Sequence, residues 1–156
     1  MVYYQRMILL KNKKALNQYE IKEKIQAGIV LTGPEVKSLR NKSGSLAGSY
    51  VKSINNELFL IGAQITPYKF ADNTDYDPKR TRKILVRKKQ VFHVMAATEK
   101  KGWSAIPLSL ELDGKNIKLI IGIGKGRKEF EKREVLKNRA LKREMQKEIK
   151  NAHLKI

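Results

Sequence analysis

Four stretches of this chain alternate apolar and polar residues with a period of two, over lengths that set the fold of the first 124 residues as mainly β. In the first, Tyr19, Ile21, Ile25, Ala27, Ile29 and Leu31 share one parity, while Glu20, Lys22, Lys24 and Gln26 hold the other. This is the pattern of a long strand with one face buried. Gly28 interrupts its polar face, where a missing side chain lets a strand coil sharply, so a bend is expected there. Tyr50 to Ile54 and Leu58 to Ile65 flank Asn55-Asn56, a pair tolerant of positive φ and suited to a tight hairpin. Ile106, Leu108, Leu110 and Leu112 alternate up to Asp113-Gly114, and Ile117, Leu119, Ile121 and Ile123 alternate after it, which predicts a second hairpin. Arg82 to Arg87, enclosing Ile84-Leu85-Val86, makes a sixth strand.

Helices interrupt the strands. Gly33-Pro34-Glu35 opens one that runs to about Asn41, with Pro at the first turn and Glu at the positive end. Lys88 to about Lys101 places Val91, Val94, Met95 and Thr98 at helical spacing and stops at Gly102. A short helical turn near Lys13 to Asn17 is a third. Few, long, bent strands with attached helices predict a mainly β fold built on an OB-like, six-stranded antiparallel barrel. The barrel spans residues 1–124, and a basic tail follows over 125–156. That tail carries 12 Lys or Arg against 5 Glu, a net charge of +7. Its apolar stripe of Leu141, Met145 and Ile149 is thin, and Arg133/Lys137 and Arg139/Arg143 repel at i,i+4. Alone it is expected to be disordered, and helical only against an anionic partner. Gly124 and Gly126 are the expected hinge between the two parts.

Charge narrows the function. A net charge of +19 opposes compaction by self-repulsion, and a chain that carries it is built to lie against a polyanion. With 41% hydrophobic residues the chain nevertheless has a core to bury. No cysteine is present, which excludes disulfides, thiolate metal sites and thiol nucleophiles, and suits a reducing cytoplasm. The apolar run Met7 to Leu10 is shorter than a signal-peptide core, and nothing approaches the length of a membrane span. A soluble, cytoplasmic monomer is expected.

Motifs for catalysis are weak. His93 and His153 cannot make a metal cage between them, and neither stands at a catalytic spacing from Ser. Asp72, Asp75 and Asp77 lack the Gly and the final Glu of a calcium loop, and read as a polar loop closed by Asp77-Pro78. Gly122-x-Gly124-x-Gly126 is not a dinucleotide fingerprint. No enzymatic activity, metal or cofactor is called for. The dense basic run Pro78-Lys-Arg-Thr-Arg-Lys83 enters a strand, so Arg80 and Arg82 share a face. With Lys37, Arg40 and Lys42 it suggests phosphate contact, and the pair is expected to be dispensable for folding. Tyr4, Tyr19, Tyr50 and Tyr68 are candidates for stacking on unpaired bases.

The order of segments resembles a known family. Asn12-Lys-Lys-Ala15, Ala27-Gly28-Ile-x-Leu31, Gly33-x-Glu-Val-Lys-Ser-Leu-Arg40, Ser49-Tyr-Val51, Ile65-Thr-Pro-Tyr68, Asp77-Pro-x-Arg-x-Arg-Lys83, Ile106-Pro-Leu108 and Gly124-Lys-Gly126 together are similar to the SmpB family, which binds tmRNA (SsrA RNA). The resemblance runs from about residue 10 to the C-terminus. It implies a non-enzymatic protein that binds the tRNA-like domain of tmRNA and accompanies it into stalled ribosomes in trans-translation. The barrel then stands in for a missing anticodon arm, and the tail lies as a helix in the empty mRNA channel, against ribosomal RNA.

Carried over by motif, the implied RNA-facing residues are Asn12, Lys13, Tyr19, Lys37, Arg40, Arg80, Arg82, Lys83, Lys118 and Gly122. The implied ribosome-facing tail residues are Glu131, Lys132, Arg133, Lys137 and Arg139. Gln26 stands where the family often has an acid before Ala-Gly, and Glu131 replaces the usual Asp. A ribosomal or cold-shock-like structural RNA binder shares the barrel and the charge and remains the alternative from the residues alone. In either case about six phosphate contacts make the log–log dependence of affinity on salt roughly −4 to −5, so a fourfold rise in salt costs on the order of 10³ in affinity. Nitrocellulose-filter titrations across a salt series measure this slope, and a nearly flat response would remove the electrostatic reading.

Overall fold

The computed structural model describes residues 6–154, and Tyr4 lies outside them. Contacts divide the chain into two units, one ending at Gly126 and one starting at Arg127. The first unit holds β1 (Met7–Lys11), α1 (Lys13–Gln18), β2 (Tyr19–Ile29), α2 (Gly33–Arg40), β3 (Gly44–Ser45), β4 (Tyr50–Ile54), β5 (Glu57–Ile61), β6 (Gln64–Ile65), β7 (Arg82–Leu85), α3 (Lys88–Thr98), β8 (Trp103–Asp113) and β9 (Asn116–Gly126). Seven strands form one antiparallel sheet in the order β1-β8-β9-β2-β7-β5-β4, and β3 pairs with β6 in a small second sheet. The fold is mainly β with attached helices, as the alternation implies.

The expected closed six-stranded barrel is corrected in two respects. Among the described residues no ladder joins β4 to the far side of the sheet, because β1 pairs along the outer edge of β8, and β4 packs near β8 without strand pairing. The strand count rises because β1 lies in the short Met7–Leu10 run. Its period fails where the register slips between Ile8 and Leu10, so that Leu9 and Leu10 are both buried. The expected strand from Leu58 to Ile65 is also divided: Gly62, at φ 83°, turns the chain between β5 and β6.

Local chemistry accounts for the rest. Asn55 and Asn56 take φ of 51° and 60° and close the β4–β5 hairpin in two residues. Glu23 sits on the apolar parity of β2 yet is exposed, because a bulge lets β2 advance two residues, from Ile21 to Glu23, while β9 advances one. A second bulge, between Pro107 and Ser109 of β8, accommodates a proline that has no N–H for the ladder. Ala105 to Leu110 is buried without alternation, since both faces of β8 are covered. Ala105 and Leu110 face the main core, and Ile106 and Leu108 join Ala15 of α1 in a smaller one. α2 begins in a capping box: Glu35 N donates to Thr32 Oγ1 at 3.3 Å, and Thr32 N donates to Glu35 Oε1 at 2.9 Å.

The second unit contains α4 (Glu129–Leu154). Its N-terminus is held by Lys128 N donating to Glu131 Oε2 at 3.3 Å, a carboxylate where the helix dipole favours one. Phe130, Leu136, Leu141, Met145 and Ile149 are exposed along it.

Of the two glycines expected to form a hinge, Gly124 is a packing residue inside β9, whereas Gly126 is exposed where the strand and the first unit end. Gly124 is buried between Ile21 of β2 and Ser104 of β8, and Gly126 ends the strand opposite Tyr19, its N–H on Gly102 O at 2.9 Å. A Cβ at Gly124 would stand 2.6 Å from Glu20 O, which is backbone and cannot move aside. Gly124→Ala is therefore expected to cost about 1–3 kcal/mol by forcing β2 and β9 apart. Thermal unfolding measures it, and an unchanged melting temperature would contradict this packing.

Candidate nucleic-acid interface

Arg82 sets the terms for the site. Alternation does bring Arg80 and Arg82 toward a common target, but that target is Glu35 of α2 and not solvent. Both Arg82 and Glu35 are about fully buried, with 0% and 1% of their side chains exposed. All five guanidinium donors of Arg82 are used. Nε donates to Glu35 Oε2 at 2.8 Å, Nη1 to Ala63 O at 2.8 Å and Arg80 O at 3.0 Å, and Nη2 to Glu35 Oε2 at 2.5 Å and Pro78 O at 3.0 Å. Arg80 donates to Glu35 Oε1, and the Tyr76 hydroxyl lies 3.1 Å from Glu35 Oε2 and 3.0 Å from Ile65 O. One carboxylate thus joins α2, β7 and the loop over residues 66–81.

Arg82 as an RNA contact is corrected accordingly, since a guanidinium with no exposed surface and no spare donor cannot reach a phosphate. Burial alone would raise the pKa of Glu35. Hydrogen bonds from Arg80, the Thr32 backbone and Arg82 overcome it and hold the carboxyl down from 4.5 to about 2. The folded value lies below the unfolded one, so the stabilisation is complete above about pH 4.5 and is lost as pH falls toward about 2.

Asn12 is likewise corrected from contact to construction. It is buried, its Oδ1 accepts from Ala15 N at 3.3 Å to cap α1, and its Nδ2 donates to Pro107 O at 2.9 Å. Gly122 offers no surface either: a Cβ there would stand 2.8 Å from Leu108 Cδ1, so the glycine makes room for the smaller core.

What Asn12 builds is a cleft of about 550 Å³ between α1, the start of β4 and the start of β8. Tyr19, Tyr50 and Trp103 line it, with Lys14, Gln18, Ser49, Thr98 and Ser104 supplying polar groups. Among the described residues no acidic side chain lines it. Lys13 is exposed on α1, beside the cleft's Lys14 in sequence. Trp103 and Lys14 were not singled out by sequence reasoning. The chain's one tryptophan at the entry to the strongest hairpin was the available signal.

A second, shallower groove brings Lys118 together with Gln26, Leu85, Arg87 and Gln90 over Gly28. Lys37 and Arg40 are exposed on α2, and Lys83 is exposed on β7, where its Nζ lies 3.3 Å from Glu57 Oε1. Arg80 keeps 30% of its side chain exposed while bound to Glu35. Lys132, Arg133, Lys137 and Arg139 are carried on α4, behind the Glu131 cap. Among the described residues no group of three His, Cys, Asp or Glu side chains is placed to hold a metal, and no helix is long and apolar enough to cross a membrane.

Removing the Glu35 charge leaves two arginines, one fully buried, without their anion. Glu35→Gln is expected to destabilise by about 3–5 kcal/mol. Reversing Arg80 and Arg82 to Glu crowds three carboxylates and is expected to unfold the domain, contrary to the dispensability inferred from their sequence pattern. Urea unfolding at stepped pH checks the titration. The wild type loses about 3 kcal/mol between pH 4.5 and about 2 through this group, and Glu35→Gln lacks that component. Equal acid dependence in both proteins would refute the assignment.

The family model described as SmpB protein matches residues 9–151. The SsrA-binding protein of Protochlamydia amoebophila is 44% identical over 142 residues, covering 91% of this chain and 93% of the relative. That of Staphylococcus aureus is 38% identical over 142 residues, covering 91% and 92%. That of Prochlorococcus marinus is 43% identical over 144 residues, covering 92% and 88%. Among solved structures, the chain is similar to one described as "tmRNA-SmpB: a journey to the center of the bacterial ribosome", with a TM-score of 0.65 and 34% identity over 76% of this chain and 84% of that one. A match of this extent, on a sheet whose ion network and cleft are built from the same motifs that carried the resemblance, shows that the chain belongs to the SmpB family.

Proposed function

We propose that this protein binds the tRNA-like domain of tmRNA and delivers it to stalled ribosomes, with α4 lying in the empty mRNA channel. The observation that carries the reading is the acid-free cleft. Tyr19, Tyr50 and Trp103 line it and are of the type that stacks on a splayed base, polar side chains line it with them, and Lys14 supplies a cation with no carboxylate among the lining residues to repel a phosphate. The names of the relatives, SsrA-binding proteins, support the same partner.

The division of labour follows from burial. Lys13, Lys37, Arg40, Lys83 and Lys118 project from rigid strands and helices, so their charges are held at fixed spacing for a folded RNA. Arg82, Asn12 and Gly122 keep those elements in place. On α4, Arg133 and Lys137 stand at i,i+4 spacing, as do Arg139 and Arg143, and pairing such like charges with ribosomal phosphates removes the repulsion that opposes the helix. Ordering and binding are thereby coupled on the ribosome. Peptidyl transfer belongs to the ribosome and aminoacylation to other enzymes, so the protein contributes affinity and placement and acts in the cytoplasm as an RNA-binding subunit.

Three proteins test this together: the full chain, Tyr50→Ala, and a chain ending at Gly126. Tyr50 is 46% exposed, so its loss leaves the fold intact, and it is expected to weaken binding of the tRNA-like domain by roughly 5- to 100-fold. The shortened chain is expected to bind that RNA with only the loss of long-range attraction, yet to fail in peptidyl transfer to alanyl-tmRNA on stalled ribosomes. Equal affinity for a generic single strand would favour a structural RNA binder. Transfer at the full rate without α4 would remove the proposed role of the tail.

A further inference from the structure

Phe70 is 76% exposed, the most exposed large apolar side chain among the described residues, and it belongs to neither hydrophobic cluster. It stands in the connection over residues 66–81, which has no regular secondary structure. Connections of that length without helix or strand are uncommon in a compact domain and usually carry function.

This loop is built as a support. Its far end is fixed by the Glu35 network through Tyr76, Pro78 and Arg80, and Ile65 N donates to Pro78 O at 2.9 Å. Around Phe70 the chain folds on itself: Ala71 N and Asn73 Nδ2 both donate to Tyr68 O, at 3.1 and 2.9 Å. Two of its three acids are engaged locally. Asp72 Oδ1 accepts from Thr74 N at 3.0 Å and Thr74 Oγ1 at 2.6 Å, which lowers its pKa, and Asp77 Oδ1 accepts from Lys79 N at 2.9 Å.

On that support the aromatic and cationic groups interleave. Tyr68 meets Phe70 edge-to-face, with ring centres 5.5 Å apart and planes at 70°. Lys69 Nζ stands 4.9 Å from the Phe70 ring centre, and Lys37 Nζ of α2 stands 5.5 Å from that of Tyr68. Arg40 lies three residues from Lys37 on the same helix, which puts both on one side of α2. An exposed ring braced edge-to-face by a second ring, with one ammonium over each, matches an unpaired nucleobase and the phosphates that flank it. A membrane surface would instead call for a broad apolar face, and Phe70 is a single ring in a polar loop.

Resting on the reading of the chain as an RNA-binding protein, we infer that Phe70, braced by Tyr68, with Lys69 over its own ring and Lys37 over that of Tyr68, is a second RNA contact that stacks one unpaired base, distinct in its residues from the Tyr19–Tyr50–Trp103 cleft. Lys69, now over the ring, turns to the neighbouring phosphate when the base arrives.

A short oligouridylate carrying 5-iodouridine is the probe, used with the full-length wild type, Phe70→Ser, Phe70→Tyr and Tyr50→Ala. Photocrosslinking is expected at Phe70 in the wild type and in Tyr50→Ala. Phe70→Ser is expected to weaken oligonucleotide binding by roughly 5- to 100-fold with an unchanged thermal melt, and Phe70→Tyr to bind within about twofold of the wild type. If Phe70→Ser binds as the wild type does and crosslinks map only to the cleft, the platform is wrong while the RNA-binding reading stands. If the wild type binds no RNA of any kind, both fall. Phosphatidylserine vesicles form the last arm: Phe70-dependent vesicle binding with unaltered RNA binding overturns the assignment in favour of a membrane.

Discussion

The buried carboxylate of Glu35 is the constraint on which the rest of this domain depends. A helix cap, a sheet and a long loop converge on its two oxygens: the Thr32 backbone at the start of α2, Arg82 from β7, and Arg80 and Tyr76 from the connection between β6 and β7. Burying such a charge is unfavourable by several kcal/mol unless it is paired and saturated with hydrogen bonds. Here the arginines supply opposite charge, and every donor of Arg82 has an acceptor. A half-made version of this network would be worse than none, which makes the arrangement of α2 against β7 close to all-or-none. The exposed cations of α2, Lys37 and Arg40, inherit their placement from it.

The same logic separates residues that touch a partner from residues that make the touching possible. Asn12 ends with its amide bound inside the protein, yet the cleft exists because that amide ties α1 to β8. Gly122 and Gly124 carry no functional group, yet side chains there would push Leu108 and the β2 backbone out of position. A motif therefore marks a position as indispensable without saying whether its side chain faces inward or outward. Burial decides that, and it divides the basic run Pro78 to Lys83 between one buried guanidinium, one partly exposed, and two exposed lysines.

Legibility in the sequence followed the range of the physics. Hairpins read well because Asn55-Asn56 and Asp113-Gly114 are local signals flanked by clean alternation, and α2 read well because Pro34 and Glu35 mark a helix start. β1 did not, since its slip in register buries adjacent leucines and erases the period. Barrel closure did not, since it depends on which strand takes the free edge of β8, a non-local choice. Arg82 was misread for the deepest reason. Its partner lies 47 residues away on another element, and nothing near Arg82 distinguishes a buried arginine from a solvated one. The cleft was half legible: Tyr19 and Tyr50 stood out as aromatics among basic residues, whereas Lys14 and Trp103 join them only through the fold.

Charge placement connects the fold to its partner. The chain carries 34 basic and 15 acidic residues, and several of the acids neutralise cations at defined positions: Glu35 within the core, Glu20 beside Lys22, Glu57 beside Lys83. The cleft has none. Exposed charges more than about 8 Å apart are largely screened at physiological salt, so the surplus is tolerable when spread over a sheet, a helix face and a separate tail helix. It is not cancelled, and each cation left without a nearby acid raises the free energy of the unbound state. An RNA that neutralises them relieves that repulsion in the same event that forms the contacts, so it binds the folded form preferentially and adds to its stability by mass action. The buried acid Glu35 serves to hold the shape of this protein, and the basic surplus that opposes that shape in isolation supports it once a polyanion is bound.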